Sequence, residues 1–276
     1  MQTIPEKFRV PAEQCGEVLQ LQYPTRVYNP ELPNYGEPYR KSVRVYLPHG
    51  YDAGKTYNVV YVLHGGGGDD FYDWLSEDDP CPTTILENLV RDGLVEPCIL
   101  VFPNTRSDAN QSNRNGTWTS FYHFAPDLRN DLIPFIEEQF SVGKSRESRA
   151  ICGLSMGGFQ TTQMGIGELY DLFAWYGAFS ASFNGGNGMT FSVEKALAIV
   201  EGSDYALGYF YLACGTEDPL CYRTFSRDVA TLDRYLPLCR HIEKGRNYES
   251  EAIDGGSHNY AVWQYTFYRF LQLIFK

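Results

Sequence analysis

What most constrains the fold of this chain is a series of short apolar runs separated by stretches that carry a helical stripe. Asn58–Leu63, Cys98–Phe102, Arg149–Gly153, Phe173–Phe179, Tyr209–Cys214 and Ser250–Ile253 are β-prone, and most of them are strongly apolar. Strands that lack a polar face are buried on both sides and belong to a parallel sheet. Between them, Thr83–Arg91 places Ile85, Leu86 and Leu89 on one stripe. Leu128–Phe140 does the same with Leu128, Leu132, Ile133, Ile136 and Phe140, with Pro134 near its start. Further helices are predicted over Ser192–Glu201, Arg223–Tyr235 and Tyr260–Phe275. Gly16–Tyr23 and Ser42–Leu47 alternate apolar and polar residues instead, as antiparallel edge strands do. The pattern predicts an α/β fold: a mostly parallel central sheet, antiparallel N-terminal strands, and helices on both faces. No repeat or linker interrupts it, so residues 1–276 are read as one domain.

One connection is out of proportion. Pro103–Ser120 is nearly all polar, with Ala109 and Trp118 the exceptions, and it leaves the C-terminal end of a predicted strand. Open α/β sheets place their ligands at that end. A loop of this length is either a functional surface or disordered.

Charge and composition exclude several function classes. Lys plus Arg is 23 against 34 for Asp plus Glu, a formal net charge of −11, which is unsuited to covering phosphates. The longest clean apolar run, Val59–Leu63, is far short of the ~20 residues a membrane helix requires. No nucleic acid and no membrane are therefore expected as partners. Neither a CxxC pair nor an HExxH motif occurs, so no metal or other cofactor is predicted. Of the seven cysteines, Cys98, Cys152 and Cys214 fall in apolar runs and are read as buried. Cys214 and Cys221 are spaced to bridge a loop if oxidised. Met1–Val10 lacks the charged-then-apolar pattern of a secretory signal, although a removed signal leaves the same appearance. The acceptors Asn110-Gln111-Ser112 and Asn115-Gly116-Thr117 fit a secreted protein, which is the expectation here.

The chemistry centres on Gly153-Leu154-Ser155-Met156-Gly157-Gly158. A nucleophile on a tight strand-to-helix turn needs small neighbours two positions either side, because side chains there clash with the turn. A strand is predicted just before Ser155 and a helix over Ser155–Met164, the context that the motif requires. His64-Gly65-Gly66-Gly67-Gly68 follows another apolar strand and leaves backbone N–H groups unshielded. Loops of this type supply an oxyanion hole in esterases, here with Gly66 and with Met156 after the nucleophile. A phosphate loop is disfavoured because no Gly-Lys-Ser/Thr follows and Asp69-Asp70 repels anions. A serine nucleophile then needs an acid and a base, in the chain order Ser, Asp or Glu, His. Of five histidines only His241 and His258 follow Ser155. His258 lies in a glycine-rich turn after the last strand, whereas His241 sits in a charged stretch. Asp218 follows the Tyr209–Cys214 strand, with Glu217 as its close competitor and Asp254 behind both.

Taken together, His64–Gly68, Gly153–Gly158, Gly215–Asp218 and Gly255–His258 followed by Trp263 resemble carbohydrate esterase family 1. Within it, the likeness is greatest to feruloyl esterases found with xylanases. Tyr46–Tyr51 resembles that family's strand-to-turn segment, and Asp131–Glu137 its helix before the nucleophile strand. The resemblance spans Gly16 to Phe275 and implies an α/β-hydrolase catalytic domain. It also implies a Ser155–His258–Asp218 triad, an acyl-enzyme, and a feruloylated xylan substrate. Trp74, Trp118, Tyr122, Tyr260 and Trp263, all near predicted loop ends, are the candidate substrate contacts. Asp69, Asp70, Asp73, Glu77, Asp78 and Asp79 predict an acidic rim, which a neutral sugar ester tolerates. Acetyl xylan esterase is the alternative, with an S-formylglutathione hydrolase or a non-catalytic carbohydrate-binding relative behind it.

Overall fold

The computed structural model describes residues 2–76, 81–110, 118–185 and 190–276. Eight strands share one sheet: β1 (Glu17–Arg26), β2 (Pro38–Leu47), β3 (Asn58–Leu63), β4 (Cys98–Pro103), β5 (Arg149–Leu154), β6 (Trp175–Phe179), β7 (Tyr209–Gly215) and β8 (Tyr248–Ile253). Their spatial order is β1-β2-β4-β3-β5-β6-β7-β8. The β1–β2 and β2–β4 pairings are antiparallel, and every pairing from β4 to β8 is parallel. This is an α/β-hydrolase fold. One expectation needs correction: β2 is not an edge strand. It pairs on both sides, leaving only β1 at that edge. Alternation reports that a strand has one wetter face; it carries no information about how many neighbours the strand has.

The helices are α1 (Pro82–Arg91), α2 (Ala125–Asp127), α3 (Ile133–Gln139), α4 (Met156–Gln160), α5 (Val193–Gly202), α6 (Tyr222–Tyr235) and α7 (Tyr260–Leu271). Successive strand residues point to opposite faces, which divides the core. Val59, Tyr61 and Ile151 pack with Ile136 of α3, Leu197 of α5 and Leu232 of α6. Val60, Val62 and Cys152 pack on the other face with Ile85 and Leu89 of α1 and Phe267 and Phe270 of α7. The helix predicted over Leu128–Phe140 is interrupted, because Leu128–Leu132 is a π turn before α3. Pro134 has no N–H to continue the ladder, which widens ahead of it and then resumes. The helix predicted over Ser155–Met164 likewise becomes α4 followed by a π turn at Thr161–Ile166.

The polar connection after β4 departs most from expectation. Asn104, Thr105, Arg106, Ser107 and Asp108 are all buried, none more than 3% exposed, so this stretch is interior rather than a surface loop. Other segments satisfy its backbone: Ser107 N–H donates to Ser120 O, Asn29 N–H to Ser107 O, and Thr105 N–H to His64. A polar sequence suggests exposure, but buried polar groups are permitted wherever they are hydrogen-bonded. Trp118–His123 is a 3-10 turn. Residues 111–117, with the second glycosylation acceptor and part of the first, lie outside the described residues, as do Glu77, Asp78 and Asp79. Cys214 and Cys221 are both buried and both free thiols, so the possible bridge is not formed.

Candidate active site

Ser155 leaves the end of β5 with φ 50° and ψ −113°, a left-handed conformation rare for a residue with a side chain. Such strain costs on the order of 1–3 kcal/mol and must be held by its surroundings. The Ser155 N–H donates to Phe179 O at 2.8 Å, tying the turn to β6. A Cβ on Gly153 would sit 2.5 Å from the Gly157 carbonyl carbon, and one on Gly157 would sit 2.5 Å from Leu63 O. The glycine spacing read from the sequence therefore has a steric cause in the fold.

The turns after β7 and β8 bring two further side chains to this serine. His258 Nε2 lies 3.0 Å from Ser155 Oγ, and its Nδ1 lies 2.7 Å from Asp218 Oδ2. Asp218 Oδ1 accepts the backbone N–H groups of Leu220 and Cys221, each at 2.9 Å. Burial pushes the Asp218 carboxyl up, but the bonds from His258 and from the Cys221 and Leu220 N–H groups outweigh it, leaving it below the ordinary range. An ionised Asp218 accepts from Nδ1–H and leaves Nε2 free to take a proton from Ser155. Glu217 and Asp254 are exposed, and His241 lies elsewhere beside Glu201. Ligand atoms of Asp218, Cys221 and His258 fall within 4.8 Å of one another. Two of the three already bond to each other, and burial pushes the Cys221 thiol up to about 12, so this set does not offer a metal a ready thiolate.

The glycine loop is held from beneath. His64 is buried, and desolvation with the Arg106 charge depresses its pKa to about 3, so the ring is neutral. Its Nε2 accepts from Thr105 N–H at 3.0 Å, which puts the proton on Nδ1, where it donates to Gly65 O at 2.7 Å. That carbonyl belongs to the same peptide unit as the Gly66 N–H. Arg106 donates to Gly66 O at 2.9 Å and Gly68 O at 2.7 Å, with its guanidinium over the Phe121 ring. Gln160 Nε2 joins the helix after the nucleophile to Thr105 O and Phe121 O. Met156 opens α4, so its N–H has no acceptor one turn back. The buried segment after β4 is thus the support of the glycine loop, a role not visible in its polar sequence.

Comparison with known proteins places the chain in a family. The Esterase family model matches residues 38–273. The chain belongs to that family. It is 29% identical over 206 residues, 70% of this chain, to endo-1,4-beta-xylanase Y of Acetivibrio thermocellus. It is 26% identical over 244 residues, 86% of this chain, to an endo-1,4-beta-xylanase/feruloyl esterase of Xylanibacter ruminicola. This esterase spans only 18% and 29% of the lengths of those two proteins. Among solved structures, a CE1 ferulic acid esterase from Anaeromyces mucronatus in complex with ferulic acid superposes with TM-score 0.80. It is 22% identical, with 99% of this chain and 96% of that one covered. A mutant of the feruloyl esterase module from Clostridium thermocellum, complexed with sinapinate, gives TM-score 0.80 at 24% identity, covering 99% and 93%. At these identities the two structures speak for the fold. Among the described residues of this esterase no helix is long and apolar enough to cross a membrane.

The five candidate contact rings divide sharply. Trp74 is 3% exposed, donates Nε1–H to Leu63 O and packs on Phe179 and Phe267, so it is a core residue rather than a rim residue. Trp118 is 56% exposed and lies over the glycine loop, its ring 2.6 Å from where a Gly66 Cβ would stand. Trp263 is buried edge-on to the His258 ring, and Tyr260 packs on Trp263. Tyr122 is half-buried on the same 3-10 turn as Trp118. The acidic rim also needs correction. Asp70 is buried beside Arg44, and Asp73 turns inward onto Gly65 N–H. Both carboxylates found backbone or side-chain partners that their clustering in sequence does not reveal.

Proposed function

We propose that this esterase releases a hydroxycinnamic acid, ferulic acid foremost, from feruloylated arabinoxylan through an acyl-enzyme on Ser155. The observation that carries this reading is the unbroken hydrogen-bond chain from Asp218 through His258 to Ser155, at 2.7 and 3.0 Å, on a strained nucleophile turn. Ser155 Oγ attacks the ester carbonyl while His258 Nε2 takes its proton, and Asp218 stabilises the imidazolium that forms. The Met156 and Gly66 N–H groups receive the oxyanion, each contributing about 3 kcal/mol to the transition state. As the intermediate collapses, the ester C–O bond breaks and His258 gives its proton to the departing sugar oxygen, which leaves as the hydroxyl. Water attacks the acyl-enzyme with His258 as base and frees the acid and Ser155.

The feruloyl choice is supported by the names of the relatives and by the ferulic acid and sinapinate held by the two solved neighbours. Trp118 above the glycine loop, with Tyr122 on the same 3-10 turn and with Tyr260 and Trp263 shortly after His258, supplies rings for a flat acyl group or a sugar face. Secretion and plant cell-wall xylan as the setting belong to the same reading. The test is a panel of methyl ferulate, methyl p-coumarate and acetylated xylan with wild type and Ser155→Ala. Cinnamate preference in the wild type, and loss of all ester turnover in the variant, are expected. A strong preference for acetate replaces the acyl group with acetyl, and a turning-over Ser155→Ala sinks the triad.

A further inference from the structure

Among the described residues of the turn after the glycine loop, Asp73 is the one with a backbone that its own side chain disfavours. Its φ is 88°, in the left-handed region, where a non-glycine residue persists only if the surroundings hold it. What holds it is the carboxylate. Oδ2 accepts the Gly65 N–H at 2.7 Å, and Oδ1 accepts the Tyr260 hydroxyl at 3.0 Å. Gly65 begins the loop that carries Gly66, and Tyr260 is the first residue of α7, two after His258. Two glycines of the loop make room for this carboxylate. A Cβ on Gly68 would lie 2.2 Å from Asp73 Oδ2, and one on Gly65 would lie 3.1 Å from it. On its other side the Gly65 Cβ position is 2.7 Å from Leu154 Cδ1 and 3.6 Å from Ser155 Cβ, so the bonded peptide lies against the nucleophile turn.

We propose that Asp73 is a positioning residue, a strut that sets the spacing between the oxyanion loop and the turn bearing His258. It touches neither the ester nor the imidazole. It works by orienting the His64–Gly65 peptide, while the neutral His64 ring orients the next one, whose N–H is Gly66's. The Asp73–Tyr260 contact joins residues 187 apart in the chain, so oxyanion donor and base move as one body. Transition-state stabilisation by a preorganised donor falls steeply with small displacements. The strut therefore acts on turnover more than on substrate binding. The proposal rests on the reading of Ser155, His258 and Gly66 given above.

Asp73→Ala, Asp73→Asn and Tyr260→Phe are compared with wild type on methyl ferulate and its thionoester, with Tm recorded for each. The sulfur of a thionoester is a weak hydrogen-bond acceptor, so its turnover draws little on the oxyanion donors. Asp73→Ala is expected to lower kcat for the ester by about 10- to 100-fold with a smaller change in KM, and to lower thionoester kcat much less. Asp73→Asn restores most of the activity, because Asn Oδ1 accepts from Gly65 while its amide donates to the Tyr260 oxygen. Tyr260→Phe, which keeps the Gly65 bond, loses several-fold less than Asp73→Ala and decides the matter if that variant does not fold. Unchanged ester kcat in the folded variants, or equal losses on ester and thionoester, overturns the strut. If Ser155→Ala keeps its turnover, the functional reading fails instead. A dead Ser155→Ala beside an unaffected Asp73→Ala removes only the strut.

Discussion

Two buried carboxylates in this molecule each face a basic side chain, and their pKa values are displaced in opposite directions. Asp218 has His258 on one oxygen and two backbone N–H groups on the other, and its carboxyl is held below the ordinary range. Asp127 bonds Lys41 Nζ at 2.6 Å and the Tyr23 hydroxyl at 2.9 Å, with both charged side chains fully buried. Burial pushes the Asp127 carboxyl up despite Lys41, and burial pulls the Lys41 ammonium down despite Asp127. The difference lies in the donors and the exposure. Backbone N–H groups are fixed dipoles that cost little to arrange, and His258 keeps 15% of its side chain in solvent. Lys41 must itself be desolvated, so each charge pays again for its partner. A carboxylate set among fixed dipoles stays ionised and ready to steady a charge; a carboxylate paired in the interior holds segments together.

The largest effect that sharpens this contrast is expected from Asp218→Asn. Its geometry survives, but the amide presents a donor to Nδ1 and favours the wrong imidazole tautomer, so kcat falls by about four orders of magnitude. Steady-state kinetics on methyl ferulate measure this, and a loss under tenfold breaks the assignment of Asp218. At the other carboxylate the effect is on stability. Asp127→Ala strands the Lys41 ammonium and is expected to cost about 3–5 kcal/mol by denaturant unfolding. Adding Lys41→Met to it recovers part of that loss, and a double variant weaker than the single one contradicts the account.

A smaller effect depends on pH. A carboxyl whose folded pKa is depressed contributes stability above its unfolded pKa, and this is lost as pH falls toward the folded value. The difference in Tm between wild type and Asp218→Asn should therefore shrink as pH is lowered through about 4 and below, as calorimetry can follow. Smallest is the exposed pair Arg129–Asp171, two-pronged at 2.7 Å on each arm but about 40% exposed on both sides. Arg129→Ala should cost under about 1 kcal/mol, because water competes for both charges. A loss as large as that at Asp127 shows that burial does not set the scale.

Much of the Ser155–His258–Asp218 cluster was legible because each member lies in a short turn directly after a strand. Ser155 declares itself through neighbouring glycines, His258 through Gly255-Gly256 before a helix, and Asp218 through its place after β7. The supports were not legible. Arg106 reaches Gly66 across 40 residues, Thr105 reaches His64 across 41, and Gln160 reaches Thr105 across 55. In sequence, Arg106 was one residue in a polar loop and Asp73 was one acid in a cluster. Trp74 and Trp118 looked alike as rings near loop ends. One lies in the core and the other in solvent, because a loop's position does not fix which way its side chains turn.

By itself, then, the sequence determined the parallel sheet, its antiparallel start and the three residues of the proposed triad. Those follow from local rules: apolar runs bury strands, and a tight turn excludes side chains beside its nucleophile. Only the tertiary structure decided which polar groups are buried, which partners satisfy them and which aromatic faces solvent. Hydrogen bonding of a buried group depends on what the fold brings within about 3 Å, and no periodicity along the chain records that distance.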